Sequence, residues 1–194
     1  MSTTYEMDNI EKKRIFDVAL TIMEEVGYDN LSIRKICEDA DISIGKFYRY
    51  FQSKQEILSF FYKQLESNFR NSFDDQFRAL DIKDQLIDFY AWFTGYISSF
   101  GFDFVINFFN NQNPLLNTHV YNNEIINITD ELLVNAIQNG YKLPEGTTVR
   151  NISYDICVIV KGIIFDWCVR HGEFDIKQYS KELLGKCIEG IIYA

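Results

Sequence analysis

The sequence predicts an all-α protein in which a small N-terminal head precedes a larger helical body. Apolar residues recur at spacings of three and four, which is the period of an amphipathic helix. In the body, no stretch alternates apolar and polar residues with the period of two that a half-buried strand requires. A hydrophobic content of 47% and a charged content of 24% over 194 residues are typical of a soluble globular protein.

The first predicted helix runs from about Asp8 to Val26, where Gly27 provides a stop. Ser32 is suited to cap a second helix, because its hydroxyl can accept a hydrogen bond from an N–H group of the first turn. Both helices carry their apolar residues at helical spacing. These residues are Ile15, Ala19, Ile22, Met23 and Val26 in the first helix and Ile33, Ile36, Cys37 and Ala40 in the second.

A short turn separates the second predicted helix from a third. Asp41 tolerates a turn conformation, and Ser43 can cap a short helix over Ile44–Tyr50. Two helices joined by such a turn make a helix-turn-helix. Ser53 and Glu56 then have the spacing of a capping box, which opens a fourth helix.

The charge of the chain is unevenly distributed. The formal net charge is -9, which argues against nucleic acid if it is taken alone. Residues 32–54, however, hold five cations and three anions, a local balance of +2. An acidic protein with one basic window suits a chain that contacts DNA at one place only. The five cations are Arg34, Lys35, Lys46, Arg49 and Lys54.

The stretches "LSIRKIC" (31–37) and "ADISIGKFYRYFQSKQEIL" (40–58) together resemble the DNA-binding head of TetR-family transcriptional regulators. The resemblance covers roughly the first 60 residues. Two positions depart from the family pattern, since Cys37 stands where the family usually has Ala and Asp41 where it usually has Gly. Both side chains are small enough to keep the turn.

The resemblance implies which residues meet DNA. The helix over Ile44–Tyr50 would be the recognition helix in the major groove. Tyr48, Tyr50 and Lys54 would hold phosphates, whereas Arg34 and Lys46 are the best candidates for base contacts, because bidentate bonds to guanine are the commonest specific ones. The full predicted DNA-binding set is Ser32, Arg34, Ser43, Gly45, Lys46, Tyr48, Arg49, Tyr50 and Lys54.

The predicted domains are a DNA-binding head, residues 1–53, and a ligand-binding and dimerisation body, residues 54–194. The last two predicted helices carry apolar stripes too wide for one neighbour to cover, so we expect a second copy of the chain to cover them. TetR-like proteins dimerise in this way, which supports the expectation. The predicted interface residues are Ile156, Val160, Ile163, Leu184, Ile188 and Ile191. The predicted body helices lie near 54–73, 83–100, 102–111, 121–139, 148–170 and 176–192.

The middle of the body is rich in aromatic residues. These rings either fill the core or line a cavity for a lipophilic or aromatic small molecule, and the sequence leaves both readings open. The candidate ligand contacts are Phe89, Trp92, Phe93, Tyr96, Phe100, Phe104, Phe108 and Trp167. Polar groups that could orient a ligand are Thr94, Asn107, His119, Asp166 and His171. Asp88, Asp103 and Asp166 could select a cationic lipophile.

Several function classes find no support in the sequence. The four cysteines form no C-x-x-C pair, so we expect no metal site, and no cofactor motif occurs. No catalytic motif occurs either, and we expect no enzyme activity. The start lacks a signal-peptide pattern and no apolar run spans a bilayer, which predicts a cytoplasmic protein without a membrane partner.

The sequence therefore predicts a dimeric transcriptional regulator, and a repressor rather than an activator. Its expected partners are a double-stranded palindromic DNA operator, a small-molecule effector that releases it, and a second copy of the chain. The alternative is a helix-turn-helix regulator that answers to a protein partner and has no small-molecule inducer.

Overall fold

The computed structural model describes residues 4–109 and 120–193, and within them the regular structure is helical, which confirms the predicted all-α fold. None of the described helices is long and apolar enough to cross a membrane. In chain order the α-helices are α1 (Thr4–Val26), α2 (Ile33–Asp39), α3 (Ile44–Tyr50), α4 (Lys54–Ser72), α5 (Asp75–Arg78), α6 (Ile82–Ser98), α7 (Phe102–Phe108), α8 (Val120–Gln138), α9 (Val149–Val169), α10 (Ile176–Cys187) and α11 (Glu189–Ile192).

The chain forms two compact units. Within the described residues, unit 1 contains residues 4–64 and 103–109, and unit 2 contains residues 65–102 and 120–193. The predicted boundary between residues 53 and 54 falls at the start of α4, whereas unit 1 takes in the first part of α4 and most of α7 as well. The four-residue helix α5 was not predicted.

An aromatic core holds unit 1 together. Phe16 of α1 lies 5.5 Å from Phe60 of α4, measured between ring centroids, and 6.4 Å from Phe104 of α7. Phe51 lies 5.9 Å from both Phe47 and Phe60. All five rings are buried, so the helix-turn-helix rests on α1, α4 and α7 through tilted and edge-to-face ring contacts.

The predicted caps of the helix-turn-helix are confirmed. The hydroxyl of Ser32 accepts a hydrogen bond from the N–H of Lys35, and that of Ser43 accepts one from the N–H of Lys46, each at 3.1 Å. Between the two helices, Asp41 has a φ of 47°. This left-handed conformation is the one that favours glycine, which is the usual residue of the resembled family at this position.

In unit 2, α6 packs along α10, and α9 packs along α8. The buried hydroxyl of Tyr90 lies 2.8 Å from that of Thr129, and Thr129 in turn donates to the carbonyl oxygen of Ile125. Burial raises the pKa of the Tyr90 phenol far above its ordinary value, so this side chain stays neutral and acts only as a hydrogen-bonding group.

Candidate DNA-binding site and ligand cavity

Helix α3 has one buried face and one exposed face. Phe47 and Tyr50 are buried, and Ser43, Gly45, Tyr48 and Arg49 are exposed. These four exposed residues belong to the predicted DNA-binding set. A Cβ atom at Gly45 would meet only the Ser43 hydroxyl, at 4.0 Å, so packing within the head does not require glycine here. A glycine does allow a closely approaching backbone, such as that of DNA.

Ile44 also lies on the exposed face, with 51% of its surface exposed at the start of α3. Ile44 is absent from the predicted DNA-binding set, because an isoleucine in an amphipathic pattern is ordinarily assigned to the core. An exposed apolar side chain at this place can contact the methyl group of thymine in the major groove.

The cations of the head differ in how strongly they are tied to it. The guanidinium of Arg34 is paired with the carboxylate of Glu38 at 3.0 Å. The ammonium of Lys35 is paired with the carboxylate of Asp39 at 2.8 Å, and both pairs lie within α2. Arg49 lies 5.6 Å from the Tyr50 ring, and no carboxylate among the described residues pairs with it. Arg49 is therefore the most available cation on the exposed face of α3.

Lys46, a predicted base contact, reaches back to α1. Its ammonium lies 2.9 Å from a carboxylate oxygen of Glu11, and only 37% of its side chain is exposed. The hydrogen bonds from Lys46 and, to a lesser extent, Arg14 hold the pKa of Glu11 below its ordinary value. The carboxylate is consequently charged at neutral pH, and the pair is a true ion pair there.

Two predicted phosphate contacts are engaged inside the head. The ammonium of Lys54 donates to the carbonyl oxygen of Tyr28 at 2.8 Å and lies 4.1 Å from the centre of its ring. Burial lowers the pKa of Lys54. The hydroxyl of the buried Tyr50 lies 3.3 Å from the carboxylate of Asp8. A phosphate contact by Lys54 or Tyr50 would require these internal contacts to be exchanged for DNA contacts.

The eight predicted ligand contacts are divided between the two units. Phe104 and Phe108 belong to unit 1, and the other six belong to unit 2. Phe89, Phe93, Phe104, Phe108 and Trp167 are buried, and Trp92, Tyr96 and Phe100 are half-buried. Trp92 and Tyr96 stack at 5.2 Å. The rings thus pack largely against protein, as the alternative reading of the sequence had it.

Unit 2 contains a cavity of about 1020 Å³ that none of these eight residues lines. Its apolar wall includes Phe69 and Phe73 at the end of α4, Phe77 of α5, and Ile128 and Leu132 of α8. Two members of the predicted aromatic cluster, Phe89 and Trp92, contact that wall from behind. Phe69 is 5.0 Å from Phe89, and Phe73 is 5.8 Å from Trp92, measured between ring centroids.

The rim of the cavity carries charge of both signs. Arg70, Arg78 and Lys142 line it together with Asp81 and Glu131. Arg70 donates to both carboxylate oxygens of Glu131, at 3.1 and 3.5 Å. Arg78 pairs with Asp75 at 2.9 Å, and both side chains are largely exposed. Apolar walls with a few cations at the rim suit a ligand that has an apolar chain and an anionic head.

Residues 15–59 match the family model of the bacterial regulatory proteins of the tetR family. This match covers the whole helix-turn-helix described above. The head of this chain is a tetR-family DNA-binding head. The match confirms the resemblance that the residues of the head carry.

Two characterised proteins illustrate what this chain is similar to. The fatty acid metabolism regulator protein of Bacillus subtilis is 23% identical over 183 residues, which cover 92% of this chain and 94% of that protein. The transcriptional repressor KstR of Mycolicibacterium smegmatis is 40% identical, over only 53 residues, or 27% of this chain and 26% of KstR.

Solved structures share the TetR fold of this chain. The transcriptional regulator FadR from Bacillus subtilis in complex with stearoyl-CoA has a TM-score of 0.70 at 21% identity, covering 92% of this chain and 98% of that one. The repressor FadR of Thermus thermophilus in complex with lauroyl-CoA has a TM-score of 0.70 at 15% identity, covering 91% of this chain and 92% of that one. At such identities the likeness concerns the fold.

Five of the six predicted dimer-interface residues are covered by their own unit. Ile156, Val160, Ile163, Leu184 and Ile188 are at most 2% exposed, and Ile191 is half-buried. The first five therefore offer almost no surface to a second copy. The apolar residues of α9 that remain exposed lie on its opposite side and are Tyr154, Val158, Phe165 and Val169.

The polar ligand candidates also have structural partners. The hydroxyl of the buried Thr94 donates to the carbonyl oxygens of Tyr90 and Ala91. The side-chain amide of Asn107 donates to the backbone carbonyl oxygen of Asp103. His171 has a φ of 53° at the end of α9. His119 lies outside the described residues.

The three aspartates proposed to select a cation are likewise engaged. Asp88 pairs with Lys181 at 2.8 Å and Asp166 with Arg170 at 3.2 Å. The carboxylate of Asp103 accepts a hydrogen bond from the N–H of Tyr28 at 3.2 Å. Among the residues that the structure describes, no group of His, Cys, Asp and Glu could hold a metal ion.

Proposed function

We propose that this protein is a transcriptional repressor that binds a palindromic operator as a homodimer and leaves it when an acyl thioester such as acyl-CoA occupies the cavity of unit 2. The proposal of DNA binding rests chiefly on the capped α2–α3 pair and on the exposed face of α3, with Arg49 as its available cation. The effector part rests on the cavity and on the stearoyl-CoA and lauroyl-CoA complexes of proteins that share the fold.

The cavity has the size and the chemistry for an acyl chain with a charged head. Its volume of about 1020 Å³ lies at the upper end of the ~300–1,000 Å³ range of pockets that enclose small molecules. The rings of Phe69, Phe73 and Phe77 offer apolar surface for the chain. Lys142 lines the cavity where it can attract the phosphates of a CoA group, whereas Arg70 and Arg78 would exchange Glu131 and Asp75 for those phosphates.

Helix α4 offers a covalent route from the cavity to the head. It begins at Lys54, whose ammonium donates to the Tyr28 carbonyl oxygen in unit 1, and its last turns line the cavity with Phe69 and Arg70. A dimer on a palindrome needs its two recognition helices about 34–36 Å apart. A ligand that binds one arrangement of α4 better than another therefore changes DNA affinity, by roughly 5–150-fold for a coupling of about 1–3 kcal/mol.

We assign the dimer interface to the exposed apolar face of α9 rather than to the buried stripe predicted from the sequence. Tyr154, Val158, Phe165 and Val169 follow one another at spacings of four, seven and four residues, so they share one side of the helix. A two-fold axis beside this face would bring the same residues of two copies together. The open cavity favours the small-molecule effector over the alternative of a protein partner.

The test measures the binding of CoA, octanoyl-CoA, lauroyl-CoA and stearoyl-CoA to the full chain by calorimetry. Each buried methylene contributes about 0.8 kcal/mol, so lauroyl-CoA should bind more tightly than octanoyl-CoA by at most roughly 200-fold. The same compounds should release the protein from an operator selected from random duplexes. Equal affinities for CoA and for all three thioesters would refute the effector proposal.

A cavity-filling variant locates the site. Ala136 lines the cavity, and Ala136→Trp should abolish thioester binding by occupying the space of the chain. Val134→Trp is the matched control, because Val134 lies on the same helix, is 43% exposed and does not line the cavity. If both variants bind the thioesters like the parent protein, the ligand site lies elsewhere. Both variants should retain operator binding, which separates the effector proposal from the DNA-binding one.

A further inference from the structure

The carboxylate of Glu11 connects three elements of the head. One of its oxygens lies 2.9 Å from the ammonium of Lys46 on α3 and 3.2 Å from the guanidinium of Arg14 on α1. Arg14 also donates to the carbonyl oxygen of Ala40, the last residue before the turn of the helix-turn-helix. A single carboxylate thus joins α1 to α3 and, through Arg14, to the end of α2.

This pair differs from the other ion pairs of the head. Arg34–Glu38 and Lys35–Asp39 join neighbouring turns of one helix, and their side chains move with that helix. The Glu11–Lys46 pair crosses from α1 to the recognition helix. Its side chains are 29% exposed for Glu11 and 37% for Lys46, against 58% for Glu38 and 84% for Arg34. Water therefore screens the crossing pair less than it screens the Arg34–Glu38 pair.

A DNA phosphate would compete with Glu11 for Lys46. Non-specific DNA binding depends on the number of phosphates that the protein neutralises. A lysine already neutralised by a carboxylate adds little to that number unless the carboxylate gives it up. We propose that Glu11 is a positioning residue that restrains Lys46 in the DNA-free head and thereby suppresses binding to duplex DNA of arbitrary sequence. The inference rests on the proposed DNA binding but not on the proposed effector.

The test titrates the full-length protein with a fluorescent duplex of random sequence over a range of salt concentrations. Glu11→Gln should bind this duplex about two- to fivefold more tightly, the range that corresponds to the loss of one exposed ion pair. The plot of log K against log salt should steepen by about 0.9, because one more phosphate is neutralised. Weaker binding, or an unchanged slope, would overturn the proposal.

Two controls separate this role from a general effect of charge. Asp17→Asn removes one negative charge from the same helix, but Asp17 is paired with Lys13 and not with α3. It should leave the salt slope unchanged. In the Lys46→Gln background, Glu11→Gln should bring no gain. A gain of equal size in Asp17→Asn or in the Lys46→Gln background would mean that Glu11 merely repels DNA, and the proposal would fail.

Folding of the variants is checked by thermal unfolding before DNA is added. If Glu11→Gln does not fold, Glu11→Asp provides the test, because its carboxylate stays charged but reaches one methylene less far towards Lys46. It should show a smaller gain in the same direction, and again only when Lys46 is present. A gain in random-duplex affinity that persists without Lys46 contradicts the proposal that Glu11 restrains Lys46.

An operator selected from random duplexes provides a further readout, since Glu11→Gln should lower the ratio of operator affinity to random-duplex affinity.

Discussion

Replacing Phe165 with glutamate should separate the dimer while each protomer stays folded. The side chain is 70% exposed at the middle of the exposed face of α9, between Val158 and Val169, which are 50% and 58% exposed. Burying an exposed phenylalanine completely contributes about 1.5–3 kcal/mol, so the exposed part of this one contributes about 1–2 kcal/mol. A two-fold interface contains the residue twice, which doubles the loss to about 2–4 kcal/mol.

That loss weakens dimerisation roughly 30- to 900-fold, before any repulsion between the introduced carboxylates is counted. Sedimentation over a range of concentrations measures the dimer dissociation constant, and thermal unfolding shows whether the protomer is intact. Ile137→Glu is the matched control, because Ile137 is an apolar residue of α8 with 37% exposure outside the α9 face. It should leave the dimer unchanged.

The contrasting variant is Leu184→Glu. Leu184 has no exposed surface in the protomer, so glutamate there buries a charge without a partner. The cost of several kcal/mol is a large part of the ~5–15 kcal/mol by which domains are stable, and the variant should unfold instead of forming a folded monomer. The reasoning is refuted if Leu184→Glu gives a folded monomer, or if Phe165→Glu dimerises like the parent.

Three further predictions concern single residues. Arg49→Ala should weaken binding to all duplexes alike and reduce the slope of log K against log salt by about 0.9, since this available cation contacts phosphate; an unchanged slope in a binding titration argues against that contact. Asp41→Gly should raise the free energy of unfolding in denaturant by about 0.5–1 kcal/mol, because glycine adopts the φ of 47° without strain, whereas Asp39→Gly inside α2 should lower it. Burial raises the pKa of the Cys168 thiol to about 11, so its alkylation rate should rise about tenfold per pH unit from pH 7 to 10; a plateau near pH 9 would show an ordinary thiol.

The local features of the fold were predictable because their causes are local. The Ser32 and Ser43 caps each depend on a hydroxyl and an N–H group three residues away, and both are present. The hydroxyl of Ser53 likewise accepts from the N–H of Glu56, although the Glu56 carboxylate accepts from Gln52, one residue before the predicted partner. Helix α5 escaped prediction since a single turn leaves too few residues for a period to be read.

The surfaces were harder to predict, because they depend on which side of an element the rest of the protein covers. Helix α9 is apolar on two sides, with Ile156 and Val160 inside the protomer and Val158 and Phe165 outside. The spacing of apolar residues along the helix reveals both apolar sides, but it does not tell which side faces the interior of the protomer. The cavity is formed by residues 69–85, 128–142 and 193, which are distant in sequence. Phe89 of the predicted aromatic cluster packs behind its wall.

The pairing of the head's cations predicts that two heads are needed to hold an operator. Arg34, Lys35 and Lys46 each have a carboxylate partner, Lys54 is bound to a carbonyl oxygen, and the whole chain carries a net charge of -9. One head therefore offers few free charges to DNA, and its binding alone should be weak at physiological salt. Joining two heads makes the second contact intramolecular and raises affinity by a factor of roughly 10²–10⁴. Phe165→Glu, which leaves the head untouched, should accordingly lose most of its affinity for a palindromic operator but little of its affinity for a single half-site. Equal losses on the two duplexes would mean that the heads do not act as a pair.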